Sequence, residues 1–318
     1  MVTVIQTDRR SAVLTSSSIA CLEHMPTINL TSGCAHGCIY CYTRGYSTYP
    51  GENKVILYKN TFEKLKDELS RKRAKPQAVY FSPSSDLFQP VPEVLELGYS
   101  VLEFLFSKGI GIAFLTKGHI PDNTMKLLLG HADKVRAQIG IITLNEGIRR
   151  MFEPNTASLR MRLEQMARLT AGGIATEARL DPILPGLTDT PDALRPLFSA
   201  LAKVGVERVA ASTLFLRSEI LVSLKRNIHS NVVLQELLSF YRDAKRLAIH
   251  AERSSVIAPT HAARAEIYNR VRLAAQEHGI GLLICACKNP DLAQGTCNIG
   301  GNWPKQFNAQ RSLFGGGG

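Results

Sequence analysis

"AVYFSPSSDLFQPVPEVLELGYSVLEFLFSKGIGIAFLT", residues 78–116, reads as a strand, a loop, a helix and a second strand. AVYFS (78–82) and IGIAFLT (110–116) are short, nearly continuous apolar runs, the pattern of strands covered on both faces. Between them, PEVLELGYSVLEFLFSKG (92–109) carries apolar residues at helical spacing and opens on a proline, which suits the first helical turn. A helix joining two buried strands lets the second run parallel to the first.

The same unit recurs on both sides. TINLT (27–31), VRAQIGIIT (135–143), ATEARLDPIL (175–184) and ERVAAST (207–213) read as further buried strands. TFEKLKDELSRKR (61–73) and SLRMRLEQMARLTAGG (158–173) read as amphipathic helices between them. Six β-then-α units over residues 27–217 predict an α/β fold with a parallel sheet and helices outside it. Periodicity does not separate an open doubly wound sheet from a partial barrel. In both, ligands gather at the C-terminal ends of the strands. After residue 217 the pattern predicts helices at about 230–248 and 260–278, then a short strand, GLLIC (281–285). The tail ends in GGGG, expected to be disordered. We expect three segments: residues 1–26, the α/β unit 27–217, and a helical, cysteine-bearing extension 218–318.

A net charge of +11 favours an anionic partner without naming one. RKRAK (71–75) closes a predicted helix, where solvated cations suit the helix dipole. No run is as long as a membrane span, and the first twenty residues lack the apolar core of a signal peptide, so a cytoplasmic protein is expected.

Six of the seven cysteines fall into two groups, Cys34, Cys38, Cys41 and Cys285, Cys287, Cys297, with Cys21 apart as an expected buried small hydrophobe. The first group is C-x3-C-x2-C on the loop after the first predicted strand, with Tyr40 just before the last cysteine. Structural zinc is normally closed by four ligands supplied in pairs, and His36 reads as a loop residue rather than a fourth. Three thiolates fit a [4Fe-4S] cluster with one iron open.

This motif resembles the signature of the radical S-adenosylmethionine superfamily. The resemblance implies a partial (β/α)6 TIM-like barrel and a cluster whose open iron binds the amino and carboxylate groups of S-adenosylmethionine. An electron then cleaves the sulfonium to a 5'-deoxyadenosyl radical, with flavodoxin or ferredoxin as the reductant. CIYCYTR, FSPSSDLFQPVP, LTKG (115–118), ITLNEGIRRMFEPNTASLRMRLE (142–164) and DPILPGLTD (181–189) resemble the spore photoproduct lyase branch over residues 27–217. That likeness places Ser84, Ser85 and Asp86 near the amino end of S-adenosylmethionine, and Lys117 and Thr143 near its carboxylate or ribose. Arg179 would face the barrel interior, holding cofactor, substrate anion or a structural carboxylate. Tyr40 and Tyr42 match a pair proposed to relay hydrogen atoms, or else pack the cluster and adenine. Pro83 stands where the lyases carry their hydrogen-donor cysteine, which puts photoproduct repair in doubt. Asp189 or Thr190 is expected to cap a helix.

The second cysteine group, in CACKNPDLAQGTCNIGGNW (285–303), suits an auxiliary iron-sulfur cluster, again with an open iron. A redox disulfide, a zinc site completed by His261, or a three-thiolate site for trivalent arsenic uses the same residues. Asn289, Asn298 and Asn302 are candidate substrate contacts. The expected function is radical chemistry on a small-molecule, peptide or nucleic-acid substrate held between barrel mouth and C-terminal cysteines. The alternatives are aminocarboxypropyl transfer from S-adenosylmethionine to a soft ligand such as arsenic, and a non-catalytic zinc-stabilised nucleic-acid-binding protein.

Overall fold

The computed structural model describes residues 2–17, 19–250, 254–293 and 297–303. The glycine tail expected to be disordered lies outside the described residues.

Seven strands form one sheet: β1 (Thr27–Ile28), β2 (Ala78–Phe81), β3 (Gly111–Thr116), β4 (Val135–Gly140), β5 (Ala175–Ile183), β6 (Arg208–Thr213) and β7 (Gly281–Ile284). Every neighbouring pair is parallel. The spatial order follows the chain order without a reversal, with β1 and β7 at the edges. A doubly wound sheet reverses its strand order at a switch point. This sheet winds one way and stays unclosed, which is a partial barrel. All six expected strands are present, and the strand expected in the extension joins the same sheet as β7.

The period of two along each strand separates two environments. Phe81, Phe114, Ile139, Leu180 and Val209 point outward into the main apolar core beneath the helices. Alternate positions point inward, where the side chains include Tyr80, Gln138, Glu177 and Arg179, all buried. The interior is therefore polar enough to hold a ligand rather than filled with aliphatic side chains.

The described helices are α1 (Thr61–Arg71), α2 (Pro92–Ser107), α3 (Asp122–Leu129), α4 (Glu146–Phe152), α5 (Leu159–Ala171), α6 (Pro191–Lys203), α7 (Ser218–Asn227), α8 (Asn231–Ser239) and α9 (His261–Glu277). Side-chain caps start several of them: Asn145, Ser158, Thr190 and Thr260 accept from backbone N–H groups two or three residues on. Thr190 is the cap of α6, while Asp189 accepts from Gly186 N at 2.6 Å. RKRAK is exposed, and Arg71 pairs with Asp67 one turn back at 2.8 Å.

One expectation is corrected. The helix predicted over about 230–248 stops at Ser239, and Lys245–Ile249 pairs antiparallel with Ser254–Ala258. Ile249, Val256 and Ala258 then bury against Phe215, a contact that a continued helix would forfeit. Tertiary burial here outweighs local helical pattern.

Beyond β7 the chain turns into the barrel. Gln138 Nε2 donates to the Cys297 carbonyl at 3.4 Å, and Arg136 Nε donates to the Asn302 carbonyl at 3.0 Å. Trp303 lies so close to Gly111 that a Cβ there would sit 2.3 Å from its ring, so this strand start has to lack a side chain.

Candidate active site

The C-x3-C-x2-C loop leaves a two-residue strand, Thr31–Ser32, that pairs with Lys54–Tyr58. Gly33 begins it at φ +80, and a Cβ there would lie 2.5 Å from the Lys54 carbonyl. The loop is tied down from two sides. Gln89 Oε1 accepts from Ala35 N at 2.9 Å, and Ile39 N donates to the Phe152 carbonyl at 3.0 Å. His36 lies between the Asp86 carboxylate at 3.0 Å and the Asn155 carbonyl at 3.1 Å. Both imidazole nitrogens are engaged, so His36 braces the loop and is not a fourth metal ligand.

Cys34, Cys38 and Cys41 are half-buried and line one cavity of about 260 Å³ at the C-terminal ends of the strands. Among the described residues, no three ligand-type side chains are drawn together at metal spacing. Burial pushes the Cys34 thiol well above its ordinary value, and burial next to Glu153 raises Cys38 to about 12. Such thiols ionise when a cationic metal centre supplies the missing charge. Three thiols on one braced loop, with the nearby imidazole occupied, fit a centre that takes three protein ligands.

The loop after β2 supplies the adjoining wall. Ser82, at φ 55, and Ser85 carry buried hydroxyls without a partner among the described residues, and both line the cavity. A buried orphan hydroxyl is costly, so two in one wall fit a polar ligand such as the amino-acid end of S-adenosylmethionine. Ser84 also lines the cavity, its N–H donating to Asn29 Oδ1 at 3.1 Å. Asp86 is different. Its Oδ1 accepts from Thr116 Oγ1 at 2.7 Å and Phe88 N at 2.8 Å, and its Oδ2 accepts from Lys117 N at 2.9 Å besides facing His36. Burial opposes its ionisation, but His36 and these donors outweigh burial and hold the carboxyl below its ordinary value. Asp86 thus joins the cysteine loop to the end of β3.

Lys117 lines the cavity, yet its ammonium is fully engaged: 2.5 Å to Tyr40 Oη, 2.9 Å to Glu153 Oε1 and 3.0 Å to the Asp181 carbonyl. The Tyr40 hydroxyl donates to Glu153, and Arg162 meets the other carboxylate oxygen at 2.6 Å. Burial, then Glu153, push the Tyr40 phenol well up, so it keeps its proton. Burial opposes charge on Glu153, but Lys117 and Arg162 overcome it and bring the carboxyl to about 2. Tyr42 donates to the Pro83 carbonyl on the same cavity wall. Thr143 does not line the cavity. It is buried, and its Oγ1 accepts from Asn145 N at 3.0 Å ahead of α4.

The opposite wall belongs to β5 and the C-terminal cysteines. Arg179 is buried facing inward, 3.0 Å from Asp181, 3.4 Å from Gln138 Oε1 and 3.8 Å from Cys285 Sγ. Lys288 meets Asp181 at 2.8 Å. Cys285, Cys287 and Cys297 are buried and line the same cavity as the N-terminal triad. Cys21 is not an isolated hydrophobe: it forms a disulfide with Cys287. The asparagines do not face the cavity. Asn289 holds Arg264 and Tyr268, Asn298 reaches Glu177, and the Asn302 carbonyl holds Arg136. His261 is exposed at the start of α9 and takes no part in this wall.

A family model described as the radical SAM superfamily matches residues 28–201, more than half of the chain. The chain belongs to the radical S-adenosylmethionine superfamily. Membership in this superfamily implies a [4Fe-4S] cluster and S-adenosylmethionine-dependent radical chemistry. A "Radical SAM Nalpha-GlyT isomerase" of Pseudomonas phage M6 is 30% identical over 177 residues, covering 55% of this chain and 36% of that protein. An uncharacterised protein of Mycobacterium tuberculosis is 27% identical over 218 residues, covering 65% of this chain and 64% of the other. The chain thus spans less than two thirds of the length of these relatives. Among solved structures, a spore photoproduct lyase variant with bound S-adenosylmethionine and dinucleoside spore photoproduct superposes with a TM-score of 0.65. It is 17% identical, and the match covers 88% of this chain and 81% of that one, which shows the shared fold. No helix among the described residues is long and apolar enough to cross a membrane.

Sequence reasoning missed four residues that line or buttress this cavity. Ser82 lies inside the quoted FSPSSD but reads as the end of a strand, and its unusual φ is invisible in the sequence. Glu153 lies within the quoted ITLNEGIRRMFEPNTASLRMRLE and reads as the opening of a loop, and no sequence signal marks Arg162, although both are fully buried. Asp181 shares the inward face of β5 with Arg179 by the period of two, a signal that was available and unused.

Proposed function

We propose that this enzyme reductively cleaves S-adenosylmethionine at a [4Fe-4S] cluster held by Cys34, Cys38 and Cys41, and applies the radical to a substrate in the cavity facing Cys285, Cys287 and Cys297. One observation carries the reading: the N-terminal triad, two serine hydroxyls without a partner among the described residues, and the C-terminal cysteines line one cavity at the C-terminal ends of the barrel strands. When bound, cluster and cofactor supply the electron and the 5'-deoxyadenosyl group. Ser82, Ser84 and Ser85 hold the amino-acid end of the cofactor. Asp86 and Lys117 act through what they position, the cysteine loop and Tyr40. Tyr42, against Pro83, offers an O–H hydrogen at the place where the lyases carry a cysteine, and Tyr40 packs beside the cluster with its proton retained. Cys285, Cys287 and Cys297 hold an auxiliary iron-sulfur cluster, with Arg179 beside it. The barrel unit 27–217 generates the radical, and the described residues of the segment 218–318 wall the substrate side. Flavodoxin or ferredoxin supplies the electron, drawn by the chain's excess of positive charge.

The test is anaerobic reconstitution with iron and sulfide, followed by dithionite and S-adenosylmethionine. We expect a brown protein that forms 5'-deoxyadenosine, and no nucleoside product from a Cys34→Ala/Cys38→Ala/Cys41→Ala variant. Methylthioadenosine in its place would assign aminocarboxypropyl transfer. A colourless zinc protein forming neither product would end the enzyme reading.

A further inference from the structure

We infer that Cys21 is the fourth thiolate of a closed metal site shared with Cys285, Cys287 and Cys297, and that this site takes a [4Fe-4S] cluster with no iron left free for substrate. The inference rests on the auxiliary-cluster reading above and changes its ligand count.

Cys21 sits in a one-turn 3-10 helix, Ala20–Leu22, ahead of β1, and its sulfur meets that of Cys287 across 266 residues of chain. Cys285, Cys287 and Cys297 pack with Ala210 as one buried group, and Cys21 packs against that group. All four line the cavity that also holds the N-terminal triad. A disulfide alone would need only two of these sulfurs. It gives no reason for two further buried thiols beside it, one of them 3.8 Å from the Arg179 guanidinium. A four-thiolate cluster explains both. Four thiolates on a [4Fe-4S] core of charge 2+ leave a net 2−, and Arg179 and Lys288 stand on the side where that charge would lie. N–H donors to cluster sulfurs and nearby cations are among the features that set such a centre's potential.

Loading requires the Cys21–Cys287 bond to open. A dithiol delivers two electrons and two protons to the two sulfurs and leaves as its own disulfide. The four thiols then close to ligand spacing and release four protons as they bind iron. With every iron held by the protein, the centre moves electrons, and the substrate is held by cavity side chains.

The experiment uses the full chain carrying Cys34→Ala/Cys38→Ala/Cys41→Ala, reduced with dithiothreitol and reconstituted anaerobically with ferric iron and sulfide, the dithiol supplying the two electrons per cluster that bring two of the four irons to ferrous. Iron, sulfide and zinc are counted, Mössbauer spectra recorded, and EPR taken after mild ferricyanide oxidation. About four irons per chain that resist oxidation are expected. Adding Cys21→Ala, or Cys21→Ser to preserve packing, should lower the count or produce a three-iron EPR signal, with unchanged circular dichroism. Full iron and unaltered spectra in both variants would overturn the role of Cys21 while leaving the auxiliary cluster standing. No iron in the parent variant, or zinc in its place, would overturn both, while the radical-generating cluster is judged separately on a Cys285→Ala/Cys287→Ala/Cys297→Ala chain.

Discussion

Arg179 on β5 approaches Cys285, 106 residues later in the chain, with Nη2 3.8 Å from the sulfur. The same guanidinium serves Asp181 and Gln138, so its planar fork ties the barrel interior to the C-terminal cysteines. Arg179→Leu leaves the Asp181 carboxylate its ion pair with Lys288 and should cost about 1–3 kcal/mol in urea unfolding. Arg179→Lys should recover less than half of that, because an ammonium cannot span the three partners in one plane.

Glu153 is the common acceptor for Lys117, Arg162 and Tyr40. Removing it strands the buried Arg162 and the largely buried Lys117, so Glu153→Ala should destabilise the chain by about 3–5 kcal/mol. Glu153→Gln keeps the volume and one acceptor and should cost less. Denaturant titration of both, without metal and under reducing conditions, checks the order.

The same carboxylate makes stability depend on acid. Its folded value of about 2 lies below the ordinary 4.5, and that of Asp181, opposed by burial but lowered by Lys288 and Arg179, lies at about 2 against 3.8. A depressed carboxyl adds stability above its unfolded pKa and loses it as pH falls toward its folded pKa. Urea midpoints should hold from pH 7 to about 5 and decline below that. Glu153→Gln should show a shallower decline on the same pH series.

Ser85 carries a buried hydroxyl with no partner among the described residues. Ser85→Ala should therefore leave the unfolding midpoint unchanged or slightly higher. If the hydroxyl holds S-adenosylmethionine, affinity should fall by about threefold to tenfold, the worth of one hydrogen bond. Equilibrium binding to the reconstituted protein reads the difference, and an unchanged affinity would remove Ser85 from the cofactor wall.

The strands of the barrel were legible because each is a short apolar run between polar loops, and burial of such runs dominates folding. The cysteine triad was legible because its ligands are close in sequence, so spacing alone carries the chemistry. Lys245–Ile249 was misread as helix because its strand pairing depends on Phe215, thirty residues away in sequence, which local periodicity does not report.

From the sequence by itself come the α/β class, the seven strands of the sheet, several of the helices and the cysteine loop, all properties of contiguous residues. The tertiary structure decided between barrel and doubly wound sheet, since strand order is a relation among distant segments. It also showed Asp86 bracing the cysteine loop and Lys117 holding Tyr40 from the cavity wall, buried Glu153 and Arg162 as a pair, and brought Cys21 to the C-terminal cysteines. Each of these depends on which charges and sulfurs burial forces together, and residues far apart in the chain meet only once the sheet has wound.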